Sequence, residues 1–343
     1  MEKETLILSK SQVAQAVAKV DIIKTVEEVL IGRSTGNVIL PPKISLNLGE
    51  DGSWPNYDAF LNAMPSYVGK YDIAGIKFAG GFWQNAKLGL PSIMATIILN
   101  DPHNGAPLAI MDGELITSLR TGAAVAVGFK YLWPQSRSAT LTIFGAGLQG
   151  RTSLLMCSKC LNLNKVIICD IRPEALESCQ AWVQKQDPSI RNLTISYEQD
   201  VKQGALRADL LVTATSAKSP FLKQDWLDSA SVVVAAGSYQ EIEDRVILEA
   251  DIRVVGNIPQ SLHRGNLRYL AEAGKITEKD IYAEIGNIIT GKAKYEFNSR
   301  NKVYYGASGM GAYDVAVAYQ VWQEALKIGI GTKVDLEYYL NML

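Results

Sequence analysis

An apolar segment runs directly into three glycines at Leu141-Thr-Ile-Phe-Gly-Ala-Gly-Leu-Gln-Gly150, and a second apolar segment, Lys165-Val-Ile-Ile-Cys-Asp170, ends in an acid. Strand, glycine-rich turn, helix and acid-ended strand, in that order, leave few folds open, because the layout is that of a dinucleotide site in a parallel α/β sheet. Gly145 permits the tight turn, Gly147 lets backbone amides approach a pyrophosphate, and Gly150 lets the helix pack closely on the strand. Leu148 and Gln149 open that helix, whose N-terminal amides turn toward the anion. Asp170 is placed to accept hydrogen bonds from ribose hydroxyls, which favours NAD(H), since a 2′-phosphate would meet its charge. Arg172, two residues on, keeps NADP(H) possible or else projects into solvent. The competing interpretation is a glycine-rich turn that binds nothing.

Around this motif the pattern alternates. Residues 140–144, 165–170, 210–215, 231–236 and 252–255 are short, β-branched and continuously apolar, with helical stretches between them, which predicts a parallel doubly wound sheet. The N-terminal part reads differently. Residues 12–18 and 21–30 have helical spacing, with Asp21 as N-cap, and residues 38–99 break into strand-like runs such as Lys43-Ile-Ser-Leu-Asn-Leu48, Ile73-Ala-Gly-Ile-Lys-Phe78 and Ile93-Met-Ala-Thr-Ile-Ile-Leu99. Turn-rich segments separate these runs, so mostly antiparallel pairing is expected. An alanine-rich helix over 115–132 leads into the glycine motif, and a helix over 312–326 returns to the first domain. The expected class is therefore α/β: a Rossmann doubly wound parallel sheet over 126–309, inserted into a second, α+β domain of 1–125 plus 310–343 with a mostly antiparallel sheet.

Charge and cysteine usage narrow the partners. The 343 residues carry a formal net charge of -1, so no basic field for nucleic acid is expected. No apolar run is long enough to span a bilayer, and Met1-Glu-Lys-Glu-Thr5 lacks the apolar core of a signal peptide, which points to a cytoplasmic protein. Cys157-Ser-Lys-Cys160 falls within a helix and has no matching second pair; with Cys169 and Cys179 it reads as buried or half-buried thiols. His103 and His263 are too few for a histidine-rich metal centre, and no metal site is expected.

Six segments in order, Ile73-Ala-Gly-Ile-Lys77, Ile98-Leu-Asn-Asp-Pro102, Ala109-Ile-Met-Asp-Gly113, Ile116-Thr-Ser-Leu-Arg-Thr-Gly122, Phe144-Gly-Ala-Gly-Leu-Gln-Gly150 and Gly309-Met-Gly-Ala-Tyr-Asp314, resemble the ornithine cyclodeaminase and mu-crystallin family over nearly the whole chain. The resemblance implies a dimerising first domain, hence a homodimer, and chemistry at the α-carbon of an amino or imino acid. It implies that Lys77 serves as proton donor or acceptor and carboxylate contact, in keeping with the need of an ammonium on an apolar strand for a partner or a lowered pKa. The bland alternative is a lysine with its head in water. Arg120 resembles the family arginine that clamps the substrate carboxylate, a task suited to a planar bidentate donor. Thr213, Ala214 and Thr215, and Gly237 with Ser238, match segments lying against the nucleotide. Thr121 is implied near the phosphates or substrate and Asp314 on the nicotinamide side, unless both are ordinary helix-start residues. Lys43 stands where many relatives carry a second carboxylate-binding arginine.

One departure bears on the reaction. Cyclodeaminases carry an aspartate just after the strand matching 231–236; here Gly237-Ser-Tyr-Gln-Glu241 follows, and Glu241, Glu243 and Asp244 are expected to cap or solvate the next helix. Losing that acid weakens internal cyclisation more than a single hydride transfer, which favours an NAD(P)-dependent imine reductase or amino-acid dehydrogenase. Pro41-Pro-Lys43, Asn62-Ala-Met-Pro-Ser66 with Met64 as a substrate contact, and the short loop after Gly237 resemble the N-(2-amino-2-carboxyethyl)-glutamate dehydrogenase-like branch. Two alternatives stay open: an ornithine cyclodeaminase, and a mu-crystallin-like protein that binds NAD(P)H without turnover.

Overall fold

The computed structural model describes residues 4–227, 232–237 and 239–336. The chain forms two compact units, Met1–Arg120 with Met310–Leu343, and Thr121–Gly309. The expected boundary after residue 125 and the observed one after Arg120 both fall within one helix, Glu114–Leu132.

The first unit is built on a sheet in the order Thr332–Asp335, Glu4–Leu8, Pro107–Asp112, Ile93–Asn100, Ile73–Phe82, Ala59–Val68 and Val38–Ile39, with Ile44–Leu48 also paired to Ala59–Val68. Pairing is antiparallel throughout except between Glu4–Leu8 and Pro107–Asp112. The sequence pattern did not show Ala59–Val68 as a strand, because Asn62, Pro65 and Ser66 interrupt its apolar character. Its flanking strands resolve the difficulty: Ile44 pairs with Ala63 and Ile39 with Tyr67, so the ladder on that side has a gap where Pro65 has no N–H to give. Ile73, Gly75 and Lys77 point to the buried face of the sheet. Gly311–Ile328 packs across Ala59–Val68, Ile73–Phe82 and Ile93–Asn100. Small residues allow that approach, since a Cβ at Gly311 would stand 2.7 Å from the Met64 carbonyl oxygen. Register places Ile44, Leu46, Phe78 and Met94 together on the opposite face, where all four are exposed. Asp21 caps Ile22–Thr35 as expected, accepting from the Lys24 amide at 3.0 Å.

The second unit holds an all-parallel sheet, in the order Ile195–Glu198, Leu163–Cys169, Ala139–Phe144, Leu210–Thr213, Val232–Ala235, Val303–Gly306, Ile252–Val255 and Ala283–Glu284. Its central strands are buried along their whole length, which explains their unbroken apolar sequence. Strand order reverses between Ala139–Phe144 and Leu210–Thr213, so the crevice at their carboxyl ends is the position where such sheets bind ligands. Cys157 and Cys160 lie in helix Leu148–Cys160; the four cysteines are unpaired, and burial pushes the Cys157 thiol well up. Among the described residues no group of His, Cys, Asp or Glu is arranged to hold a metal ion, and no helix is long and apolar enough to cross a membrane.

Candidate active site

In the first unit a buried ionic group forms around Asp314. The aspartate lies in the first turn of Gly311–Ile328, where the helix N-terminus favours an anion. Lys77 Nζ sits 2.8 Å from its Oδ2 and Arg120 Nε 2.9 Å from its Oδ1. Thr117 donates to Asp314 Oδ1 at 3.3 Å and accepts from Lys77 Nζ at 3.4 Å. Lys77 and Asp314 are 1% and 0% exposed, so neither charge is screened by solvent. Burial drives the Lys77 ammonium down to about 8; Asp314 opposes this and the nearby Arg120 charge adds to it. Asp314 is held below the ordinary carboxylate range: burial raises it, and the combined Arg120 and Lys77 charges win. The group thus has two cationic side chains around one carboxylate. The Arg120–Asp314 contact uses Nε, so that pair does not occupy the terminal guanidinium nitrogens.

Met64 faces Lys77 directly across the strand pair and is buried, with Ile97 on Lys77's other side. Lys43 is half-buried just before Ile44–Leu48; among the described residues the contacts around Asp314 come from Lys77, Arg120 and Thr117 and do not include it. Thr117 escaped the sequence reading. Its signal was helical spacing, three residues before Arg120 on the same helix.

In the second unit the glycine turn has the geometry a dinucleotide requires. Gly145 adopts φ +105, and a Cβ there would lie 2.4 Å from the Ala214 carbonyl oxygen. A Cβ at Gly150 would fall 1.8 Å from the Gly145 carbonyl oxygen, which enforces close packing of helix on turn. At Gly147 a Cβ would meet nothing within 4 Å, so space stays open beside the N-terminus of Leu148–Cys160, and Leu148 is 51% exposed. Gln149 Oε1 is buried with no hydrogen-bond partner among the described residues. These features fit a pyrophosphate at the helix start. Asp170 Oδ2 accepts from the Ala146 amide at 3.0 Å, and Oδ1 accepts from the Arg172 amide at 3.0 Å and from its Nε at 3.3 Å. Burial raises the Asp170 pKa, but these bonds outweigh it and keep the carboxylate ionised. The Arg172 side chain, 61% exposed, therefore lies against Asp170 instead of projecting away from the turn.

Thr213 ends the strand next to the glycine turn and Ala214 and Thr215 follow it, and Thr121 is buried in the helix position following Arg120. Ser238 lies outside the described residues. The expectation that Glu241 caps or solvates the next helix is corrected. Glu241 is fully buried and accepts from the Thr215 amide and hydroxyl, both at 2.6 Å. The helix Asp244–Leu248 starts after Glu243, and Glu243 makes no side-chain cap.

A Rossmann sheet with an open glycine cradle, carried with a second, mostly antiparallel unit that buries a lysine, an arginine and an aspartate together, defines a dinucleotide-binding α/β protein of two parts. The profile of the ornithine cyclodeaminase/mu-crystallin family matches residues 3–328, and the chain belongs to that family. The chain is 30% identical to an alanine dehydrogenase of Archaeoglobus fulgidus (96% of this chain, 98% of the relative). It is 26% identical to N-((2S)-2-amino-2-carboxyethyl)-L-glutamate dehydrogenase of Staphylococcus aureus (98% and 100%). Among solved structures it resembles the Thermococcus litoralis Δ1-pyrroline-2-carboxylate reductase in complex with NADH and L-proline, at TM-score 0.87 and 27% identity (96% of this chain, 100% of that one). It also resembles an archaeal alanine dehydrogenase dimer with bound NAD, at TM-score 0.86 and 29% identity (97% and 99%).

Proposed function

We propose that this chain is an NAD(P)-dependent oxidoreductase acting on the C–N bond at the α-carbon of an amino or imino acid. The observation that carries the reading is the Lys77–Asp314–Arg120 group, a buried site with one cation in excess and a lysine whose proton is held loosely. The excess charge suits an incoming carboxylate, for which the Arg120 guanidinium supplies a planar fork. Lys77 exchanges the proton of the substrate nitrogen: its neutral amine takes that proton when the amine is oxidised, and its ammonium returns it when the imine is reduced. Asp314 and Thr117 fix the Nζ position, and Met64 forms the apolar wall beside it. Bound coenzyme supplies the acceptor or donor of hydride for the α-carbon. Gly145, Gly147 and Gly150 with Leu148 and Gln149 would hold its pyrophosphate, and Asp170 its adenosine ribose.

NAD(H) is the favoured coenzyme because Asp170 is ionised. Arg172, resting on that carboxylate, leaves NADP(H) usable. The relatives named as alanine dehydrogenase, carboxyethyl-glutamate dehydrogenase and pyrroline-carboxylate reductase support redox chemistry on amino or imino acids. A homodimer belongs to the same proposal, supported by the dimeric archaeal relative and by the exposed apolar face of Ile44, Leu46, Phe78 and Met94. So does a cytoplasmic location, which suits unpaired cysteines.

The deciding experiment offers amino acids, opines, and keto acids with amines to the protein with NAD(H) and NADP(H), following nicotinamide absorbance. A stoichiometric absorbance change with at least one substrate is expected, and product mass identifies the bond. Conversion of ornithine to proline and ammonia with no net NADH change would replace this reading by cyclodeamination; tight NADH binding with no turnover across the panel would replace it by a binding role. The pH profile follows from Lys77. With its pKa near 8, oxidation needs the neutral amine and speeds up as pH rises through about 8, whereas reduction needs the ammonium and slows above it. Rates in both directions that stay flat between pH 7 and 9, roughly one unit either side of that value, would remove Lys77 as the proton carrier.

A further inference from the structure

No acid follows Val232–Ala235 in the sequence before Glu241, yet the Glu241 carboxyl lies at the ends of two neighbouring strands of this sheet. Glu241 is 0% exposed. Its Oε1 accepts the amide and hydroxyl of Thr215, which follows Leu210–Thr213, both at 2.6 Å. A Cβ built on Gly237 would stand 1.9 Å from Oε2, so the carboxyl rests directly on the backbone leaving Val232–Ala235. Asn266 Oδ1, itself buried, accepts from the Glu241 amide at 2.8 Å and the Ile242 amide at 3.1 Å, so the glutamate is held from behind. On its other side Thr215 Oγ1 accepts from the Ala217 amide at 3.1 Å. The Ala214 amide donates to the Phe144 carbonyl at 2.9 Å, and the Ala214 carbonyl oxygen stands 2.4 Å from where a Cβ of Gly145 would be. A continuous series of contacts therefore runs Asn266, Glu241, Thr215, Ala214, Gly145, and ends on the first glycine of the turn.

We propose that Glu241 is a positioning residue for the dinucleotide, holding residues 213–215 and Gly237 at the carboxyl end of the sheet so that the space beside the glycine turn keeps its shape. The inference rests on the NAD(P) reading. Glu241 does not act on substrate in place of an aspartate, because its Oε1 is engaged by the Thr215 amide and hydroxyl and its Oε2 is packed against Gly237. Its task is to accept two hydrogen bonds, which an amide oxygen does equally well. Burial also raises its pKa, with the Thr215 bonds opposing only in part, so the role does not depend on a full negative charge.

The test is NADH binding by fluorescence titration, on protein whose fold is verified by circular dichroism. Glu241→Ala is expected to weaken NADH about tenfold, with the loss falling on KM for NADH and not on kcat. Glu241→Gln keeps the acceptor and is expected to restore Kd to within about threefold of the natural protein. Thr215→Val, which removes only the hydroxyl, serves should the alanine variant not fold, and is expected to weaken NADH about threefold. A folded Glu241→Ala that binds NADH as tightly as the natural protein, a glutamine variant no better than alanine, or a loss confined to kcat would each overturn the proposal. Absence of NADH and NADPH binding by the unsubstituted protein would instead overturn the coenzyme reading on which it rests.

Discussion

Lys77→Met is expected to lower kcat about a hundred- to ten-thousand-fold, the usual range for loss of a positioned proton-transfer group, while the Kd for NADH stays unchanged. Methionine suits the test because it keeps an unbranched apolar stem in a space that is 1% exposed. Removing the ammonium does not strand its partner: Asp314 keeps Arg120 at 2.9 Å and Thr117 at 3.3 Å. The fold is therefore expected to survive, and the pH dependence centred near 8 should disappear with the lysine. Retention of more than roughly a tenth of kcat would place proton transfer elsewhere. Lys77→Ala gives the same kinetic result with an added stability cost from the cavity it opens.

Asp314→Ala is expected to act first on stability, costing about 3–5 kcal/mol, the range for removing one partner from a buried ion pair. It leaves the Lys77 ammonium and the Arg120 guanidinium buried together without an anion. The pH dependence has a definite sign. The folded Lys77 pKa, about 8, lies below the ordinary lysine value of 10.5, so the unfolded chain binds more protons between those values. Stability from this group therefore rises with pH across that window. Without Asp314 the lysine loses its proton more readily still, so the deficit of the variant should be larger at pH 6 than at pH 9. Urea unfolding at both values measures it. A deficit below about 1 kcal/mol at pH 6, the size of a surface ion pair, would mean that Asp314 does not hold these cations in place.

Much of the architecture could be read from the chain because it is written in backbone terms. The glycine turn needs a positive φ at Gly145 and a missing Cβ at Gly150, and only glycine supplies both, so the motif survives without any knowledge of neighbours. Five strands of the parallel sheet were equally plain, since burial on both faces writes them as continuous apolar runs, whereas Ile195–Glu198, Ala283–Glu284 and Val303–Gly306 were not read from the sequence. Ala59–Val68 was hidden because its pairing partners, and not its own residues, make it a strand. The group around Asp314 was legible only in pieces. Lys77, Arg120 and Asp314 came from a resemblance in separate motifs, and nothing local says that a residue 237 positions after Lys77 will neutralise it (314 − 77). Glu241 was misjudged for a related reason: an acid followed by Glu243 and Asp244 has the composition of a solvated helix start, and only the tertiary fold turns it inward.

Val303–Gly306 lies between Val232–Ala235 and Ile252–Val255 in the middle of the parallel sheet, although it is the last of the eight strands to be synthesised. Until a growing chain has passed residue 306, those two neighbours have no common partner and their inner edges stay open. The parallel sheet thus receives its last strand only five residues before the Asp314 helix begins (311 − 306). Such a sequence of events ties quality control of the two halves to a single late stretch, and during translation it leaves unpaired edges for chaperones to shield.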